Sequence, residues 1–431
     1  MSIVKINSLS HEGRGIAYIN GKTTFVANAL PNETVEIEYL RKHNKYDEAK
    51  AINILEASEN RETPKCKHFG ICHGCSLQHI KTASQIELKQ NILIEQFKHF
   101  ANIDLTKDQI LDPLVGPAFN YRRKARLSVK YVAKKNKVLV GFHEQNGRYV
   151  ADLESCAILD ARIGDKISDL ANLIQSLSVY DKIPQIEVAG GDNIVALVFR
   201  CLTPPTENDL IKLKDFAKKH VFKIYLQNNG LDSVTPIFGS TENNLTYSLE
   251  EQNLVLSFLP TDFVQINSAI NKKMINQALN LLEPKANETV LDLFCGLGNF
   301  TLPLAQLANE VIGVEGDANL INRAKQNALA NNITNATFYV ADLNSEIKNF
   351  IWANRQFDKI LLDPPRTGAL EICKYLPKLK AKKIIYISCN PATLARDCKE
   401  LVQNSYKLET IGILDMFPHT KHVESMALLI L

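Results

Sequence analysis

Apolar positions in the first 58 residues fall in short runs, Gly15–Ile19, Thr23–Val26, Thr34–Leu40 and Ala49–Leu55, broken by Gly, Pro and Asn. Such runs between turn residues predict about five short strands. Strands spaced this closely suggest a small OB-like β-barrel, a shape often used to hold RNA, although a generic β-domain fits the pattern as well. Glu59–Pro64 reads as a polar linker, and Ala83–Phe100 has helical period. Residues 120–258 alternate strands with two helical stretches, Ile163–Leu177 and Glu207–Lys219, which predicts a central α+β domain.

From Pro260 the rhythm becomes regular. Strands Val290–Phe294, Glu310–Glu315, Thr337–Asp342, Phe357–Asp363 and Lys383–Cys389 are each followed by a helical stretch, which predicts a parallel, doubly wound α/β sheet. Leu408–Met416 and Met426–Leu431 have no helix between them, and only antiparallel neighbours join so briefly. The arrangement resembles a Rossmann-like class I methyltransferase domain. Three domains are expected, over residues 1–58, 64–258 and 259–431.

Composition sharpens this in two places. At 431 residues the chain exceeds one hydrophobic core, and 45% apolar with 23% charged residues excludes a disordered or fibrous chain. No apolar run reaches the roughly 18 residues of a membrane span, and Met1–Tyr18 lacks a signal-peptide core, so no membrane association and a cytoplasmic location are expected. The total charge of +3 conceals a segment, residues 120–148, in which nine Lys and Arg face only Glu144. Charge runs are commonly just solvated faces. Here Tyr121, Tyr131, Phe142 and Tyr149 interleave with the basic residues, which suits phosphate contact and base stacking, so an RNA-facing ribbon is expected.

Candidate chemistry gathers at one sheet edge. Leu291 to Phe300 reads as a strand, a glycine turn at Gly296 and Gly298, and a helix. Thr301 stands where a dinucleotide fingerprint has its third Gly, while Glu315 ends the second strand and Asp342 the third. Glu315 is placed for ribose hydroxyls and Asp342 for an adenine edge, so S-adenosylmethionine fits better than NAD. Asp363 and Cys389 end later strands, and Glu424 lies in the connection Pro418–Ser425 that returns to the same edge. Asn390 suits an N-cap and Pro391 a first helical turn, so the Cys389 thiol is expected at a positive helix end that favours the thiolate. The alternative is a buried inert cysteine. Cys201, Cys295, Cys373 and Cys398 are assigned to packing, and His419 and His422 receive no role. Asp363-Pro364-Pro365-Arg366 is similar to the D/N-P-P-x loop of methyltransferases that bind a flipped base; alone it is also a rigid turn. Cys66, Cys72 and Cys75 with the remote Cys156 could hold zinc or an iron–sulfur cluster, and three close thiols with a lone fourth lean toward the cluster.

Ser388-Cys389-Asn390-Pro391, Phe417-Pro418-His419-Thr420 with His422-Val423-Glu424, and Asp363-Pro364-Pro365-Arg366 together resemble the RNA uracil-5 methyltransferase family. Asp262-Phe263-Val264-Gln265-Ile266-Asn267 resembles its motif ahead of the cofactor domain, and Ser10–Ala17 resembles the opening of a TRAM domain, an RNA-binding barrel. The resemblance spans essentially the whole chain. It implies Cys389 as nucleophile and Glu424 as general base, with Gln265, Phe294, Asn299, Glu315, Asp342 and Asp363 as S-adenosylmethionine contacts. It implies a [4Fe–4S] cluster on Cys66, Cys72, Cys75 and Cys156, hence a central α+β iron–sulfur domain. TRAM and the cysteines together resemble the ribosomal members, so 23S rRNA is the implied partner, and no obligate protein partner is evident. The alternatives are a tRNA uracil-5 methyltransferase, a noncatalytic iron–sulfur RNA-binding protein, and an adenine-N6 methyltransferase; the last leaves Cys389 unexplained.

Overall fold

The computed structural model describes residues 2–144, 147–238, 244–343 and 347–431. The chain forms two compact units: Met1–Ile92 with 142–151 and 417–422, and Leu93–Gly141 with 152–416 and 423–431.

In the first unit, strands Ser2–Lys5, Ser8–Leu9, Gly15–Ile19, Lys22–Ala27, Thr34–Lys42 and Tyr46–Glu56 make one six-stranded sheet. Alternate residues turn inward, so Ala17, Val26, Val35, Ile37, Ala49 and Ala51 share a core with Ile6 and Ala29. Gly15 is required there, because a Cβ would come within 2.8 Å of the Ile6 side chain. The cysteine loop folds on its own backbone, with the N–H of Phe69 donating to Cys66 and that of Cys72 to His68. Segment 417–422 is gripped by the rest of the unit. The N–H groups of Ser76 and Leu77 both donate to the His419 carbonyl, Gln85 Oε1 accepts the His419 N–H at 2.9 Å, and Lys421 pairs with Glu12 at 2.8 Å.

The second unit carries two larger sheets. Strands Lys124–Val132, Lys137–Gly141, Gln185–Gly190, Val195–Arg200, Phe222–Gln227 and Thr235–Pro236 form one, backed by helices Ile167–Ser176 and Glu207–His220. The helix expected over Ile163–Leu177 is split: Ala161–Gly164 ends as the Gly164 carbonyl accepts the Cys156 N–H at 2.9 Å, and the chain restarts at Ile167.

The other sheet has seven strands. Thr289–Leu293 and Glu310–Glu315 pair side by side, with Ala336–Val340 beyond the latter and Lys359–Leu362 and Lys383–Ser388 following the former, all parallel. Strand Glu424–Ile430 then inserts antiparallel between Lys383–Ser388 and Lys407–Leu414. Continuous apolar runs such as Lys359–Leu362 and Lys383–Ser388 are buried on both faces, as a sheet covered by helices requires. Two expectations change. Glu424 is the first residue of a strand, not part of the connection, because its backbone pairs with Leu414. The helical stretch expected after the third strand is reduced, among the described residues, to single turns at Ile347–Asn349 and Trp352–Asn354; residues 344–346 of that stretch lie outside the described residues. Among the described residues no helix is long and apolar enough to cross a membrane.

Candidate active site

The glycine turn is strained in the manner of a ligand cradle. Phe294, Gly296 and Gly298 all have positive φ, at 62°, 55° and 97°, and a Cβ built on Gly296 would meet only open space. Phe294 has no glycine's freedom, so tertiary structure imposes its conformation. Glu315 crosses to this turn: its carboxylate accepts the N–H of Gly296 at 3.2 Å, of Gly316 at 2.7 Å and of Asp317 at 3.1 Å. Asp342 lies exposed just beyond the next strand, where the Ala341 N–H donates to the Glu315 carbonyl.

Asn299 is held by residues that the sequence did not single out. The Tyr247 hydroxyl donates to its Oδ1 at 2.9 Å, and Asn271 exchanges two amide bonds with it at 3.0 and 2.9 Å. Tyr247, Asn271 and Gln265 line a small open recess with Arg123. The Gln265 amide donates to Asp363 Oδ2 at 3.1 Å.

Asp292 is an additional acid here. It is 1% exposed, accepts the Thr301 hydroxyl at 2.5 Å on one oxygen, and has no hydrogen-bond partner on the other. Burial, with Asp363 and Glu315 nearby, pushes its carboxyl up to about 8. Burial likewise raises Asp363 to about 7, while the Gln265 hydrogen bond opposes the shift. Glu424, 3% exposed, is pushed well above the carboxylate range by burial and by Asp363.

Cys389 follows strand Lys383–Ser388 and is half-buried. Asn390 caps helix Pro391–Gln403 through the Ala392 N–H, with Pro391 in the first turn. The expected thiolate is not the resting state: burial, Glu424 and Asp363 push the thiol up to about 12, and Arg366 only partly offsets them. Two carboxyls in a poorly solvated site outweigh the helix end. The loop that follows Asp363 is braced by Asp397, fully buried, which accepts the Ala369 N–H at 2.7 Å and the Tyr386 hydroxyl at 2.6 Å. Gly368 passes so close that a Cβ would lie 2.5 Å from that carboxylate.

The structure thus joins Gln265, Asp363, Glu424 and Cys389 through hydrogen bonding and electrostatics, and Glu315 through the glycine turn. Of the four candidate ligand cysteines, Cys66, Cys72 and Cys75 belong to the first unit and Cys156 to the second. Among the described residues no three His, Cys, Asp or Glu side chains form a group able to hold a metal ion. The basic segment is also more committed than expected. Arg123 pairs with Asp192, Arg126 with Glu187 and Lys137 with Asp152, while Lys130, Lys134 and Lys135 remain exposed. Tyr121 is 5% exposed and unavailable for stacking. Cys201, Cys295, Cys373 and Cys398 are buried.

A parallel sheet closed by an antiparallel strand, a glycine turn after its first strand and an acid ending its second define the class I methyltransferase fold. Residues 81–431 match the sequence model of the tRNA (Uracil-5-)-methyltransferase family, and residues 3–52 that of the TRAM domain. The chain belongs to this uracil-5-methyltransferase family. It is 50% identical to the 23S rRNA (uracil(1939)-C(5))-methyltransferase RlmD of Nitrosococcus oceani, over 98% of this chain and 94% of that one. It is 47% identical to the RlmD of Francisella tularensis subsp. novicida, over 98% and 95%. The crystal structure of Pyrococcus abyssi tRNA (uracil-54, C5)-methyltransferase with S-adenosyl-L-homocysteine superposes with a TM-score of 0.76, at 22% identity, over 100% of both chains. That likeness concerns the fold.

Proposed function

We propose that this chain is an S-adenosylmethionine-dependent methyltransferase that forms 5-methyluridine in 23S rRNA, with Cys389 as nucleophile and Glu424 as base. The observation that carries this reading is the pairing of strands 383–388 and 424–430, which brings a thiol and a buried carboxyl to one sheet edge beside Asp363. An adenine-N6 methyltransferase has no use for that pair. Identity near 50% with RlmD proteins over almost the full length supports the ribosomal substrate, and with it a cytoplasmic site of action.

The residues fit the cofactor. Gly296 leaves open space for a ligand, Glu315 lies behind it, and the free oxygen of Asp292 and the carboxyl of Asp363 suit a cationic group. We assign Gln265, Phe294, Asn299, Glu315, Asp342 and Asp363 to cofactor binding. S-adenosylmethionine, when bound, supplies an electrophilic methyl group. Uracil C5 is too weak a nucleophile to take that methyl unaided. Cys389 sulfur bonds to C6 of the uracil, the C5–C6 double bond opens, and the electron pair moves to an enolate whose C5 accepts the methyl. Glu424, once its own carboxyl proton has left, takes the C5 proton, the C5–C6 double bond re-forms and the Cys389–C6 bond breaks. Since the thiol is protonated at rest, its proton must leave as the substrate binds. The target base must also leave its stack to reach Cys389.

For the cysteines we propose a structural [4Fe–4S] cluster on Cys66, Cys72, Cys75 and Cys156. Four soft thiols are a suitable donor set for it, three of them in one half-buried loop. Methylation transfers no net electrons, so no step needs the cluster. We retain domains at 1–58, 64–258 and 259–431 as functional divisions, with Lys130, Lys134 and Lys135 as the exposed RNA-facing charges.

The decisive experiment presents RNA carrying 5-fluorouridine with S-adenosylmethionine. Fluorine cannot leave as a proton, so a covalent protein–RNA adduct is expected, absent in Cys389→Ala. An adduct that persists in the variant removes Cys389 from the role. Protein purified without oxygen should be brown and lose its colour in Cys72→Ala; stoichiometric zinc in a colourless protein refutes the cluster.

A further inference from the structure

The first residues of strand Lys124–Val132 are bonded to the loop that carries Gln265. Lys124 Nζ donates to the carbonyl of Pro260 at 2.7 Å and of Asp262 at 2.6 Å. The Arg123 N–H donates to the Ile266 carbonyl at 2.8 Å, and Arg122 pairs with Asn267. The Asp262 carboxylate turns inward to accept the Leu259 N–H at 2.7 Å and the Arg323 guanidinium at 3.3 Å. An ammonium therefore closes the start of the loop and backbone pairing its end. Between them lies Gln265, whose amide reaches Asp363 at 3.1 Å.

In the sequence Lys124 counts among the RNA-facing charges. In the fold its Nζ is turned inward and bound to two backbone oxygens. These carbonyls point at one atom from positions two residues apart, so a single donor fixes the turn. Without it, two acceptors face each other unscreened and the turn relaxes.

We propose that Lys124 is a positioning residue for cofactor binding: by bridging the Pro260 and Asp262 carbonyls it fixes the loop so that Gln265 meets Asp363 and S-adenosylmethionine. The inference rests on the assignment of Gln265 and Asp363 to the cofactor. Its chemistry predicts a pH signature. Burial pulls the Lys124 ammonium down to about 8; Glu187 on strand Gln185–Gly190 and Asp262 in the loop hold it up, and Arg126 on its own strand pushes it down. As pH rises through that value, charge-assisted bonds become neutral ones and the loop loosens. Asp363 and Asp292 act in the opposite sense, because their ionisation favours a cationic ligand.

The test measures S-adenosylmethionine affinity calorimetrically for the full chain and for Lys124→Met and Lys124→Arg, from about pH 6.5 to about pH 9.5, alongside RNA affinity. Lys124→Met should weaken cofactor binding by about tenfold near pH 7, with RNA affinity little changed. Lys124→Arg should bind like the wild type near neutrality and progressively tighter than it above pH 8, because a guanidinium keeps its charge. The proposal is overturned if Lys124→Met binds cofactor normally and loses RNA affinity, which would make Lys124 a phosphate contact. It is equally overturned if Lys124→Arg follows the wild-type pH profile, a comparison that holds even if Lys124→Met fails to fold. A wild-type chain that binds no S-adenosylmethionine at any pH would instead sink the cofactor assignment and this inference with it.

Discussion

Cys389 and Glu424 flank the last pair of an antiparallel register. Ser388 pairs with Ser425, and the Ser425 hydroxyl donates to the Ser388 carbonyl at 3.2 Å. The thiol lies one residue after Ser388 and the carboxyl one residue before Ser425. Their approach is thus constrained by the strand pairing beside them, as the proposed reaction, which needs both groups on one base, requires.

Glu424→Gln should separate the two halves of the reaction. Addition and methyl transfer remain possible, but proton removal from C5 does not. With ordinary uridine RNA and S-adenosylmethionine, a covalent complex should accumulate as a retarded band, and turnover should fall by about 100-fold or more. Normal turnover in this variant would assign the proton to another group.

The resting thiol should be unreactive. With Cys389 near 12, iodoacetamide labelling at this residue, followed by mass spectrometry, should be slow at neutral pH and still rising at about pH 9. Glu424→Gln removes a neighbouring carboxyl and should speed labelling at alkaline pH, where that carboxyl is ionised. Fast labelling of the wild type near pH 7 would restore the helix end as the dominant influence.

Asp292 should cost stability in alkaline solution. Its folded value, about 8, lies above the ordinary 3.8, so the folded state binds its proton more tightly. The stability this contributes is complete below about pH 4 and is lost progressively as pH rises to about 8. The thermal midpoint of Asp292→Asn should therefore rise relative to wild type across that window, while its S-adenosylmethionine affinity falls. A constant difference between the two proteins from pH 4 to pH 8 would contradict this.

Replacing Lys130, Lys134 and Lys135 together by Gln should weaken RNA binding uniformly across sequences. Three lost phosphate contacts should flatten the log–log salt dependence by roughly 2 to 3 units. An unchanged slope would place the RNA elsewhere.

The sheet was legible from rhythm alone. Strands such as Lys383–Ser388 are buried on both faces and read as unbroken apolar runs, and Asn390-Pro391 announced a helix start. What escaped was the destination of charge. Lys124 and Arg123 look alike in sequence, yet one closes a turn and the other pairs with Asp192. Tyr247 and Asn271 gave no local sign, because their importance comes from meeting Asn299 across the fold. The Cys389 thiol was misjudged for the same reason: its helix is local and legible, whereas Glu424 and Asp363 arrive from elsewhere in the chain.

The inserted strand 424–430 also ties the proposed chemistry to the completion of folding. It occupies an interior place in the sheet although it is made after both of its neighbours. Its insertion is what sets Glu424 beside the end of strand 383–388 that leads into Cys389. On the proposed roles, a chain whose last strand is not yet in place would carry the thiol without its partner carboxyl. Strand order in the chain and strand order in the sheet differ here, so the proposed thiol–carboxyl pair is assembled by the last strand of the chain.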